Sequence, residues 1–262
     1  MGRTRNGRGP CRERRTAVKY ALAVFDLDGT ILDTLEDLRD SLNYALGAWG
    51  CPPRTTEEVR RFVGNGIRKL VERGVPADAG PALTERVYET FVPYYQAHCS
   101  IKTAPYPGIP ELIARLRAQG VRCAVVSNKA DPAVQALCSQ YFPDCFDLAV
   151  GERPGIRRKP APDSVNAVLA ALDTPRERAV YIGDSEVDLA TARNAGLDCI
   201  LVEWGFRDRA FLQAQGGTAF VSSPAALLDR IAGQAQESPG IGDSGACGAG
   251  DGNRTRAFSL GS

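Results

Sequence analysis

The chain has 262 residues, 44% of them hydrophobic and 24% charged, with a formal net charge of +1; this is the make-up of a globular protein of one or two domains. No run of about 18 apolar residues is present to cross a membrane, and no apolar core follows the basic start to form a secretory signal, so a cytoplasmic protein with no membrane partner is expected. Positive charge is concentrated in residues 1–19, where six arginines and Lys19 face Glu13 alone; a nucleic-acid partner could rest only on that arm, and none is expected.

In chain order, residues 1–18 are Arg- and Gly-rich and aperiodic, and are expected to form a disordered arm. Short apolar runs of strand type follow at Ala21–Phe25, Arg122–Val126, Asp147–Val150, Ala179–Ile182, Cys199–Val202 and Ala219–Val221. They lack strict alternation, as strands covered on both faces do. Helical stripes lie between most of them, for example Ile109, Leu112, Ile113 and Leu116, or Val165, Val168, Leu169 and Leu172. The alternation predicts an α/β core with a doubly wound parallel sheet over 19–34 and 105–235.

The interval from Phe25 to Arg122 is far longer than one crossover needs. It reads as helix throughout, with stripes at Leu35, Leu38, Leu42 and Leu46, at Val59, Phe62, Ile67 and Leu70, and at Leu83, Val87, Phe91 and Tyr95. It contains no convincing strand. We expect an α-helical domain over 35–104, inserted between Asp33-Thr34 and the Pro105-Tyr106-Pro107-Gly108 turn. Residues 236–262 are Gly-rich without an apolar repeat and are expected to form a disordered tail.

The eight cysteines contain no C-x-x-C pair and read as reduced thiols, several of them small core residues. His98 is the single histidine, which disfavours a histidine-activated serine or a multi-histidine metal site. Carboxylates are the remaining candidates.

The first strand runs into Asp26-Leu27-Asp28-Gly29-Thr30. Alternation sets Asp26 and Asp28 on one side, at the strand end where open α/β sheets build sites, and Gly29 permits a tight turn. The second expected strand ends in Ser127-Asn128-Lys129, a hydroxyl and amide able to hold a phosphoryl oxygen or simply to cap a helix. Lys159 lies in Lys-Pro-Ala-Pro before a helix whose first residue could be Pro160. Asp184 ends the strand Ala179–Ile182, and Asp188 follows four residues on. Four carboxylates converging without compensation would repel; a lysine and a divalent cation relieve this, and oxygen ligands favour Mg²⁺.

Together and in this order, these motifs resemble the haloacid dehalogenase-like superfamily from about Leu22 to Val221. The resemblance implies that Asp26 is a nucleophile forming an aspartyl phosphate, and that Asp28 protonates the leaving alcohol and then deprotonates water. It implies that Ser127 and Lys159 hold the phosphoryl group, with Thr30 and Asn128 beside it. It further implies Mg²⁺ bound by the Asp26 side chain, the Asp28 carbonyl and Asp184, with Asp188 in or near that set. The insert corresponds to the family's helical cap. Its Gly64-Asn65-Gly66 turn and Arg68 resemble the phosphoglycolate phosphatase branch, although the turn also reads as a plain break between helices. The expected activity is Mg²⁺-dependent hydrolysis of a small-molecule phosphate ester, 2-phosphoglycolate first. A pyrophosphatase, nucleotidase or sugar-phosphate phosphatase or mutase on the same core is the alternative.

Overall fold

The structure is a computed structural model and describes residues 18–233; the expected N-terminal arm, apart from Val18, and the expected tail lie outside the described residues. A six-stranded sheet in the order β5-β4-β1-β6-β7-β8 forms the centre. Its strands are β1 (Leu22–Phe25), β4 (Arg122–Ala130), β5 (Leu148–Glu152), β6 (Ala179–Gly183), β7 (Asp198–Val202) and β8 (Phe220–Val221). Every pairing is parallel, as the double burial of the apolar runs requires.

Strand β1 shows how this arises. All four of its residues are fully buried. Ala23 and Phe25 pack toward α5 (Ile109–Ala118), α6 (Asp131–Tyr141) and α10 (Pro224–Ala232). Leu22 and Val24 pack on the other face with α7 (Asp163–Ala171) and α8 (Glu186–Ala195). Each large apolar side chain buried in this way contributes about 1.5–3 kcal/mol.

Register then places the chemistry. Phe25 pairs with Val125 of β4 and with Ile182 of β6, so Asp26, Ser127 and Asp184 emerge within one residue of each other at the carboxyl ends of three adjacent strands.

The inserted segment forms α1 (Leu35–Ala48), α2 (Thr56–Phe62), α3 (Gly66–Gly74) and α4 (Pro81–His98). Thr55 and Glu58 start α2 with a reciprocal capping box, which satisfies two otherwise unpaired N–H groups. The four helices bury their own cluster, including Leu38, Leu42, Val59, Leu70, Phe91 and Tyr95.

Three details differ from the sequence reading. The chain entering and leaving the insert pairs as an antiparallel ladder, β2 (Leu32–Asp33) with β3 (Ala104–Pro105); strands of two residues carry no legible period. Strand β4 continues to Ala130 through a register shift after Val126. Ser127 and Asn128 therefore lie in an irregular strand end and do not cap a helix; α6 starts only at Asp131. Helix α7 starts at Asp163, not Pro160, because Asn128 holds the Lys159 backbone in a loop through bonds to its N–H at 2.8 Å and its carbonyl at 3.0 Å.

Candidate active site

At the centre is Lys159, almost fully buried, with its Nζ 2.7 Å from Asp26 Oδ1 and 2.8 Å from Asp188 Oδ1. The Tyr181 hydroxyl lies 3.1 Å from the same nitrogen. Burial works against the ammonium, but Asp188 and Asp26 outweigh it and hold Lys159 well above the ordinary lysine range. Asp26 itself is pushed well above the usual carboxylate range, by burial first and by Asp188 second, with Lys159 opposing both.

Asp188 is fully buried and saturated. It is the third residue of α8, forms a capping box with Ser185, and accepts from the Ser185 hydroxyl at 2.6 Å, with its other oxygen held by Lys159 and Tyr181. Its work is to anchor Lys159 and the strand-end turn. Asp184 accepts the Phe206 N–H at 2.7 Å and the Thr30 hydroxyl at 3.2 Å. Burial, reinforced by Asp188, pushes its carboxyl up to about 7. Thr30 thus orients Asp184 instead of facing the cavity. Gly29 is required beside it: its φ is +85°, and a Cβ there would lie 2.5 Å from Asp184 Oδ2.

Carboxylate oxygens of Asp26, Asp184 and Asp188 lie within 4.8 Å of one another. This all-oxygen donor set, carrying more negative charge than Lys159 balances, suits a hard divalent cation. The Asp28 carboxylate stands apart from it. Lys129 Nζ lies 3.0 and 3.3 Å from the two Asp28 oxygens.

Asp26, Asp28, Ser127, Asn128, Lys129 and Lys159 line one small cavity of about 90 Å³. Its opposite wall comes from the inserted helices and is mostly apolar, with Leu38, Val63, Ile67 and Leu70 joined by Phe206. Gly64, Asn65 and Gly66 also border it. Their φ angles of +117°, +62° and +84° make three consecutive left-handed residues that turn α2 into α3.

Arg68 is a correction to the expected set. It is absent from the cavity wall; its guanidinium pairs with Glu85 at 2.8 and 3.2 Å and stacks over Tyr88. Position 68 lies on the face of α3 that meets α4, so the side chain binds its neighbour and not the cavity.

Three site residues escaped the sequence reading. Lys129 carried a signal, since it directly follows Ser127-Asn128. Tyr95 read only as one more apolar position of α4, yet its hydroxyl bonds Lys129. Arg207, after β7, donates to the carbonyls of Arg60 (3.0 Å) and Val63 (2.5 Å) and pairs with Glu186 at 3.0 Å, tying the α2–α3 turn to the sheet end.

Comparison with known proteins shows the family of this fold. The family model described as haloacid dehalogenase-like hydrolase matches residues 23–202. A phosphoglycolate phosphatase of Caulobacter vibrioides is 35% identical over 192 residues, covering 72% of this chain and 81% of its own. Among solved structures, a candidate phosphoglycolate phosphatase from Lactobacillus delbrueckii subsp. bulgaricus superposes with a TM-score of 0.80 at 44% identity, over 82% of this chain and 100% of that one. CbbY from Rhodobacter sphaeroides, in complex with phosphate, gives a TM-score of 0.66 at 30% identity, over 79% of this chain and 96% of its own.

Proposed function

Because this chain belongs to the haloacid dehalogenase-like hydrolases and is a phosphoric monoester hydrolase, we propose that it hydrolyses 2-phosphoglycolate to glycolate and phosphate through an aspartyl phosphate on Asp26. The observation that carries this reading is the pairing of buried Asp26 with Lys159 at 2.7 Å, beside Asp184, at the base of a cavity of only about 90 Å³. A nucleophilic carboxylate must be ionised, and Lys159 favours that form against burial and Asp188. A cavity this small suits a short ester. The name shared by the relatives points the same way.

An Asp26 oxygen attacks phosphorus, and the bond to the ester oxygen breaks. Asp28 gives its proton to that oxygen, releasing glycolate. Asp28 then takes a proton from the water that attacks the same phosphorus, and Asp26 leaves as a carboxylate. Lys159 and the Ser127 hydroxyl hold the transferring oxygens throughout. Asp26, Asp184 and the Asp28 carbonyl would hold Mg²⁺, which supplies charge neutralisation between the carboxylates and the phosphoryl oxygens. The helices over 35–104 serve as a cap that excludes water, held over the site by Arg207.

No described helix is long and apolar enough to cross a membrane. Assignment to the cytoplasm rests on the six free thiols among the described residues, the state that a reducing compartment maintains.

The test is an assay of phosphate release from 2-phosphoglycolate against other metabolite phosphates, with Mg²⁺ and with excess chelator. A preference for another ester would replace the substrate assignment. Full activity in chelator would remove the metal.

A further inference from the structure

Helix α4 buries Val87, Phe91 and Tyr95 along one side, and Tyr95 stacks on Phe91 inside the apolar cluster of the insert. A tyrosine buried there needs a partner for its hydroxyl. It finds one outside the insert, on Lys129 Nζ at the end of β4. The same ammonium lies 3.0 and 3.3 Å from the two Asp28 oxygens, so its three donors are all taken. Among the described residues no other hydrogen bond or ion pair reaches the Asp28 carboxylate.

We infer that Tyr95 and Lys129 are positioning residues: the insert fixes the Lys129 ammonium through the Tyr95 hydroxyl, and Lys129 fixes the Asp28 carboxylate against the ester oxygen. This rests on the reading of Asp28 as the acid and base. Asp28 alone gives and takes the proton; Lys129 and Tyr95 keep theirs.

The lysine is held from both ends. Its N–H donates to Ser127 Oγ at 3.2 Å, and its carbonyl presses on Gly151, where a Cβ would come within 2.6 Å. Its far end is held by Tyr95, in the last turn of α4. The Asp28 side chain is 20% exposed and would otherwise turn about its own bonds. Proton transfer needs a donor within hydrogen-bond reach, and a misplacement of about 1 Å can cost about 100-fold. Asp28 is therefore aligned only while the insert is seated on the core.

The experiment compares kcat/KM for ethyl phosphate and trifluoroethyl phosphate, two carboxylate-free esters of similar size, in the Mg²⁺-loaded full chain. Fluorine stabilises the departing alkoxide, so the ethyl ester depends far more on a proton from Asp28. Lys129→Met should lose about 100-fold on the ethyl ester and no more than about tenfold on the fluorinated one. Tyr95→Phe keeps the ring and its stack, and serves if the methionine variant does not fold. It should lose about tenfold on the ethyl ester and little on the other. The double variant should lose no more than Lys129→Met alone, because the hydroxyl acts through the ammonium. Asp28→Asn is the reference and should also lose more on the ethyl ester. If it does, while the Lys129 and Tyr95 variants lose equally on both esters, the positioning role is overturned and the reading of Asp28 stands. If Asp28→Asn loses equally on both, that reading and the inference fall together.

Discussion

The Lys159 ammonium and the Asp188 carboxylate form a fully buried ion pair at 2.8 Å, and Asp26 approaches the same nitrogen from the other side at 2.7 Å. One buried cation thus serves two carboxylates, and a third, Asp184, lies within the same 4.8 Å cluster. The site is short of positive charge, and this imbalance makes it a place for a cation and a phosphate.

The first prediction concerns that imbalance. Asp26→Asn should abolish turnover, because an amide does not attack phosphorus. It should also raise the melting temperature of the metal-free protein, because burial and Asp188 already disfavour the charge it removes. Lys159→Met should do the opposite to stability, leaving buried carboxylates unpaired at a cost of about 3–5 kcal/mol. Thermal and urea unfolding in chelator measure both. A destabilised Asp26→Asn would contradict the account of the cluster.

pH provides the second prediction. A carboxyl in the unfolded chain titrates near 3.9, whereas folding pushes Asp184 up to about 7 and moves Asp26 in the same direction. Between those values the metal-free folded protein binds protons that the unfolded chain has released. Its stability should therefore fall as pH rises from about 4 to 7. Mg²⁺ competes with those protons, so the rise in melting temperature on adding it should be larger at pH 8 than at pH 6. An equal rise at both would argue against carboxylate ligands.

Arg68→Ala should leave the ratio of activities on 2-phosphoglycolate and ethyl phosphate unchanged. The guanidinium is committed to Glu85 and Tyr88, and exposed pairs of this kind contribute little. A selective loss on the carboxylated ester would return the residue to the binding site.

Arg207→Ala should behave differently from the Arg68 variant. It removes charge-assisted bonds to the α2–α3 turn, each typically about 1.5–3 kcal/mol, without touching the substrate. The expected result is a loss of about tenfold or more in kcat/KM, equal on the two esters. Unequal losses would mean that Arg207 reads the substrate directly.

The strand and helix pattern made the parallel core and the helical insert legible, because double burial and the 3.6-residue period leave their mark in any single chain. The acids were legible for the same local reason: Asp26-Leu27-Asp28-Gly29 and Gly183-Asp184 interrupt apolar strands where polar residues have no packing role. Other features depended on the tertiary structure. Thr30 aims at Asp184, 154 residues on, Asn128 grips the backbone of Lys159, 31 residues on, and Asp188 is completed by Lys159, 29 residues before it, so each depends on a partner brought close only by the fold. Arg68 and Lys129 show the limit most clearly. The local sequence placed Arg68 one turn from a glycine-rich helix start and Lys129 at the end of a strand, and both positions are compatible with binding an anion. Which cation faces the cavity was decided by packing, since α4 presents Glu85 to Arg68 and the Tyr95 hydroxyl to Lys129. A side chain's direction follows from the nearest available partner in space, and spacing along a single helix does not encode that partner.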